Sequence, residues 1–427
     1  IYCPLFQKAI IKNDGENWVE SSNFTMADGA IFVGLEDDGF WDADSELKLS
    51  LFFKGTYDGN TYYFQTAEYS FSLEDGKDLL LGQGTIEDPY LVYTKFQLDK
   101  IREHLNSHYK QIRDIDLEGY NSYAATAGQG WEPIGGYVND ELILFTGIYD
   151  GCNRTISNLR MVSAAMTTGL FGAVKGYSTT AGIKNLKLTD CYIENSGVEP
   201  SSYSDKACQG MLVGYVGGNS EYSGCYASGT VKAEWGFVGG LLGTISPTEG
   251  RVPVKDCECD VVLTLESSSE VSVWGMGGLT SNAFNSDIEN CHVRGKVTSL
   301  FPYDPYYSSS SDMGTGGFTG MSMKANIKNC SAEVEVNSMG MAGGFVGGAM
   351  LGNFVNCQSY GNVKSVYNMA GGFCSATEIA TFKDCVVKAE SVEGYQSTGG
   401  FIGMLMGMAQ NCSAEITGQV HSEPNYA

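Results

Sequence analysis

The sequence predicts an all-β protein. Its main part is a parallel β-solenoid (β-helix) of about eight coils with an N-terminal helical cap, preceded by a small β-sandwich-like domain. Three observations predict it. A glycine-led run, clearest in Gly343 to Cys357, recurs eight times between Thr168 and Cys412. A cysteine recurs with it, at Cys191, Cys225, Cys257, Cys291, Cys330, Cys357, Cys385 and Cys412. After each cysteine the chain alternates, as in Cys330, Ala332, Val334 and Val336 against Ser331, Glu333 and Glu335. A period of two marks a strand with one buried face. Like strands of successive units then pair into a coil stack.

Composition bounds the alternatives. The chain has 427 residues, 55 glycines and only 9 prolines, with no triplet period, so the glycines serve tight turns or close backbone packing. A formal charge of −24 argues against nucleic acid, whose phosphates need a basic surface. The acidity reads first as solubility. No apolar run is long enough to span a bilayer. The chain opens at Ile1 without an initiator methionine, which reads as a mature or excised piece.

Residues 1–80 lack the repeat. Leu47 to Phe53 and Thr61 to Phe71 flank Tyr57-Asp58-Gly59-Asn60, a β-hairpin signature. Ala30 to Gly34 and Asn17 to Thr25 are weaker strand candidates. Residues 81–162 read as lead-in and cap. Thr94 and Gln97 have capping-box spacing, and Leu98, Ile101 and Leu105 follow at helical intervals, so Lys95 to Leu105 should be an amphipathic helix. Such a helix would cover the raw edge of a β stack.

Several short motifs occur here in order: Gly84-Thr85-Ile86-Glu87-Asp88-Pro89-Tyr90, Asp114-Ile115-Asp116-Leu117, Trp131-Glu132-Pro133-Ile134-Gly135 and Phe145-Thr146-Gly147-Ile148-Tyr149-Asp150-Gly151. With Thr155-Ile156-Ser157-Asn158-Leu159 they resemble the lead-in of GLUG-motif repeat surface proteins, and Gly169-Leu170-Phe171-Gly172 matches the motif itself. The resemblance covers roughly residues 82–418. Cys152 and Asn153 depart from the family's usual Gly and His, and Ser281 and Ser375 from its final Gly. Such proteins are similar to bacterial adhesins, notably of Bacteroides-like gut bacteria. The resemblance therefore implies a secreted, outer-membrane-associated binding protein at the cell surface. It implies no catalytic residue and no cofactor.

Residues 163–427 carry the repeats. One column after the glycines is always apolar: Leu170, Leu212, Leu241, Leu279, Phe318, Phe345, Phe373, Phe401. The cysteines should form an inward ladder, reduced and packed as small hydrophobes, although neighbours one rung apart also lie near the short end of disulfide geometry. The residue before the cysteine is Asn or Asp in seven copies, which is turn chemistry or, alternatively, a ligand column. Arg294 should lie between Asp260 and Glu333 on the outer face. Cys257 and Cys259 sit two apart on one strand face, which is poor zinc geometry, and no metal site is assigned.

Extra residues follow Cys191, Cys257 and Cys291 in the same interval of the repeat, so they fall on one corner. The longest insert holds Tyr303, Asp304, Tyr306 and Tyr307, and Trp235 and Trp274 precede glycine pairs nearby. These six residues are the candidate ligand site, for a glycan or protein on a host or microbial surface. The alternative is that the rings pin the loop bases. Two other functions stay open: a polysaccharide-degrading β-helix enzyme, and a structural stalk. The first lacks support from the four scattered histidines and from any hydrolase or phosphate-loop motif. The last coil, ending near Gln419, has no capping helix, so either the chain continues beyond it, or a partner covers that edge, or a second copy does by edge-to-edge self-association.

Overall fold

The computed structural model describes the chain outside residues 1–4, 13–17, 22–23, 28–29, 34–45, 58–59, 68, 73–79, 123–124, 126–127, 139–140, 197–206, 268–272, 302–313 and 423–427. The chain forms two compact units, Ile1–Leu81 and Gly82–Ala427.

In the first unit, Leu5–Lys12 lies between Trp18–Ser21 and Glu46–Tyr57, all antiparallel. Glu46–Tyr57 turns back onto Asn60–Gln65 with Tyr57 opposite Asn60, the hairpin the sequence announces. The expected second strand, Thr61 to Phe71, is broken in two. Tyr69–Ser72 pairs separately, with the start of Glu46–Tyr57. Phe24–Ala27 and Ala30–Val33 form their own hairpin.

The second unit is a parallel β-solenoid. Two of its sheets each stack eight short parallel strands, one per coil. A typical coil runs through Ala342–Gly343, Val346–Met350, Asn353–Val355, Gln358–Tyr360 and Val363–Ser365. Its residues meet their equivalents one coil on: Val346 opposite Cys374, Phe354 opposite Phe382, Gln358 opposite Val386. The glycine pairs allow the coils to close up on one another and the chain to turn tightly within a coil. A Cβ on Gly344 would lie 2.2 Å from the carbonyl oxygen of Gly372, and one on Gly343 would lie 1.9 Å from that of Val346.

The apolar column is the core. Leu170 to Phe373 are fully buried in it, and Phe401 is half-buried. The rings of Phe318, Phe345 and Phe373 stack at 4.5 and 4.7 Å between centroids. A second stack, Phe354 on Phe382, meets them edge-on. The lead-in shares these ladders. Tyr90, Tyr109, Tyr149 and Ile183 are successive rungs, so pairing runs back well before the first glycine motif.

The cap helix is shorter than expected. It spans Lys95–Lys100 and tightens into a 3₁₀ turn at Ile101–Glu103. The Thr94–Gln97 capping box is present. The chain leaves the helix early because it must rejoin the coil, where the Leu105 carbonyl accepts from the Thr146 amide. Leu98 and Ile101 are fully buried. Buried Asp99 pairs with Arg102 and accepts from the Tyr120 hydroxyl at 2.9 Å. Arg102 also donates to the Glu132 and Pro133 carbonyls, and Trp131 Nε1 donates to the Leu170 carbonyl. The Trp-Glu-Pro motif thus fastens the helix to the first repeat.

The cysteine column needs two corrections. Cys191 is not in it: Cys191 pairs with Gly229, and Leu186 occupies the rung before Cys225. Asp190 before Cys191 takes φ 55° like the bends of the column, but the column's own bend in this coil is Asn185, at φ 53°, which precedes Leu186. The other seven cysteines are in register across consecutive coils. They also fall at the junction of two strands rather than inside one. The residue before each makes the bend. Asp256, Asn290, Asn329, Asn356, Asp384 and Asn411 have φ between 52° and 56°, and Gly224 takes φ 62° in the same place. That is the left-handed region, which Asn, Asp and Gly enter most readily. Their side chains also link coil to coil, from Asn290 Nδ2 to Asp256 Oδ1 at 3.0 Å and from Asn356 Nδ2 to Asn329 Oδ1 at 2.9 Å. All the described cysteines are free thiols.

Candidate functional site: a groove over a short coil

Three strands, ending at Asn195, Glu266 and Leu300, run out at one corner and lead into residues 197–206, 268–272 and 302–313. The chain resumes at Cys208, Val273 and Thr315. The coil between the first two has no insert: Tyr226–Ala233 passes directly to Gly236–Gly239. Over this short coil lies an open groove of about 610 Å³.

Register explains its lining. Glu194, Lys232 and Thr264 are opposite one another on three adjacent rungs. The next residues outward supply Ser196, Glu234, Glu266 and Ser267. The groove therefore offers three carboxylate acceptors, one ammonium donor and three hydroxyls. Tyr192 steadies one wall: its hydroxyl donates to Glu194 Oε2 at 2.5 Å. Its ring lies between the cations of Arg160, at 5.9 Å, and Lys232, at 5.5 Å. The arrangement suits hydrogen bonding to a hydroxyl-rich or amine-bearing ligand, and it repels anionic ones.

The six sequence-predicted residues fare differently. Tyr303, Asp304, Tyr306 and Tyr307 lie outside the described residues. Trp274 belongs to the strand Val273–Gly277 beside the corner, and its side chain lies outside what the structure describes. Trp235 is a correction: it is 3% exposed and packs with Ala207, Cys208, Tyr215 and Phe237. The short coil leaves its ring no loop to reach into, so it turns inward and pins the corner. It is not available for stacking on a ligand. Glu194, Lys232, Glu234 and Glu266 were missed. The one signal for them was the normal spacing of the Cys225 coil between two lengthened ones.

The outer sheet carries ion pairs. Arg294 pairs with Asp260 at 3.0 Å and Glu258 at 3.4 Å; Glu333 is its register partner on the other side, but the guanidinium leans away from it. These groups are about half exposed and contribute at most about 1 kcal/mol each. Of the histidines, His108 Nδ1 accepts from the Ile148 amide and His292 Nδ1 meets Ser331 Oγ at 2.8 Å, both structural contacts. Among the described residues no group of three or more His, Cys, Asp or Glu is placed to hold a metal ion.

The class this geometry defines is a parallel β-solenoid with a loop-bearing corner. No protein-family profile matches the chain. It is similar to a putative Gly-rich membrane protein of Evansella cellulosilytica, 35% identical over 125 residues, or 27% of this chain and 13% of that protein. It is also similar to halomucin of Haloquadratum walsbyi, 32% identical over 187 residues, or 42% of this chain and 2% of that protein. The chain thus spans a small part of the length of either relative. Among solved structures, an IgA1 protease aligns with 89% of this chain and 28% of its own, at 13% identity and a TM-score of 0.45.

Proposed function

We propose that this chain is part of an extracellular, cell-surface binding protein of the GLUG-repeat, adhesin-like kind. It presents the loops of one solenoid corner to a glycan or protein on another surface. The observation that carries this reading is the polar, open groove over the short coil, lined by the ends of three adjacent strands. A rigid ladder bearing variable loops is how a repeat array builds a recognition surface. The similarity to a much longer Gly-rich membrane protein supports a surface location. No helix among the described residues is long and apolar enough to cross a membrane.

The test is a glycan and extracellular-matrix array probed with the whole chain, followed by two variants. Glu234→Gln with Glu266→Gln removes two groove charges. Tyr303, Tyr306 and Tyr307 changed together to Ser removes the rings of the longest insert. Each variant should weaken the leading hit at least ten-fold, about 1.4 kcal/mol, with unfolding unchanged. Binding that survives both sets of changes rejects the corner as the site.

A further inference from the structure

The seven in-register cysteines do more geometrically than fill a corner. Parallel strands in register repeat every ~4.8 Å, so equivalent Cβ–Sγ bonds lie side by side along the solenoid axis. By register each thiol from Cys225 to Cys412 stands beside the thiol of the neighbouring rung. Their Sγ atoms also face carbonyls of their own coils, at 3.2 Å for Cys257 and 3.1 Å for Cys330. The column is dry: Cys225 to Cys385 are at most 1% exposed, and only the last, Cys412, is half-buried.

We propose that this thiol column is a binding site for soft d¹⁰ cations, each held two-coordinate between thiolates of adjacent rungs. Thiolate bonds to a d¹⁰ cation are about 2.3 Å long, so a linear S–metal–S unit spans about 4.6 Å, close to the ~4.8 Å rung spacing. A cation midway between two rungs meets each C–S bond nearly at a right angle, as thiolate coordination requires. Among the described residues no group of three or more His, Cys, Asp or Glu is placed to hold a metal ion, which excludes tetrahedral zinc and leaves soft ions that accept two sulfurs. Charge selects among them. A mercuric ion with two thiolates is neutral and suits an apolar column, whereas a monovalent ion would leave a buried negative charge. The step breaks two S–H bonds, forms two S–Hg bonds and releases two protons to solvent, without oxidation or reduction. Cys412, the half-exposed member, is the point of entry.

Pairing makes a parity rule. Seven contiguous thiols form three couples with one left over. Loss of Cys385, the sixth, leaves five contiguous thiols and an isolated Cys412, hence two couples. Loss of Cys357, the fifth, leaves runs of four and two, hence three couples. Both cysteines are fully buried, so Cys385→Ser and Cys357→Ser disturb packing alike.

The experiment equilibrates the reduced, folded full chain with mercuric chloride. It strips singly bound ions with excess monothiol and counts retained mercury by native mass spectrometry. Cysteines outside the column contribute equally to both variants and cancel. Cys385→Ser should retain one ion fewer than Cys357→Ser, whether uptake reaches all couples or only the outermost. X-ray absorption should show two sulfurs at one short distance. Equal retention in the two variants, or a single sulfur neighbour, overturns the proposal.

Discussion

At the residue scale, the bends of this solenoid are set by single backbone conformations. The column before the cysteines is occupied by Asn, Asp or Gly, each at ease with φ near +55°. A second bend column runs through Asn285, Lys324, Leu351 and Ile379, where the amide of each hydrogen-bonds to the coil that follows. Leu351 and Ile379 hold φ 53° there. A β-branched side chain in this region is strained by roughly 1–2 kcal/mol, and Ile379 is also 65% exposed, so burial returns little. Ile379→Asn should therefore stabilise the protein by about 1 kcal/mol, read as a higher urea midpoint at constant slope. An unchanged or lower midpoint would mean that the isoleucine makes a contact that outweighs its backbone strain.

At the element scale, the stacked rings decide how well one coil grips the next. Phe345 is buried between Phe318 and Phe373 and meets Phe354 edge-on at 6.2 Å. Phe345→Ala should cost about 3–5 kcal/mol, because coils on both sides keep the cavity from collapsing. Calorimetry would show it, and a loss under about 1 kcal/mol would mean that the stack closes over the gap. This column was legible in the sequence because an apolar residue stands two places after the first glycine of every pair from Gly239 to Gly399. Cys191 was misplaced for a physical reason. The chain enters the left-handed region twice here, at Asn185 before Leu186 and at Asp190 before Cys191, and only strand pairing shows that Leu186 is the rung next to Cys225. The helix boundary failed similarly, since hydrophobic spacing continues to Leu105 while a tertiary hydrogen bond ends the helix before it. The groove was illegible because it is made by a missing loop. Its walls, Glu194, Lys232 and Glu266, come from three coils, and pairing register alone brings them together.

At the scale of the whole molecule, two opposing forces act at the last rung. The first coil is closed by the helix with Leu98 and Ile101 beneath it. The final strand, Ser413–Ser422, pairs on one side with Val386–Gly394 and has no strand on its other side among the described residues. Around it Met404, Met406, Met408 and Val420 are 43%, 56%, 64% and 48% exposed. Unpaired backbone groups beside apolar side chains form a template for another β edge. Against this stands a formal charge of −24, which repels a second copy through solvent. Salt screens that repulsion with a Debye length of about 10 Å at 0.1 M and about 3 Å at 1 M, and leaves the apolar attraction in place. The chain should therefore self-associate more strongly as ionic strength rises, the opposite of an assembly held by ion pairs. Light scattering during size exclusion, at several protein and salt concentrations, reads this directly. Met408→Lys with Val420→Lys should return the mass to that of one chain at every salt concentration, because each places a charge on the edge without entering the core. A mass that stays at one chain throughout, or that falls with salt, would show that this edge does not pair.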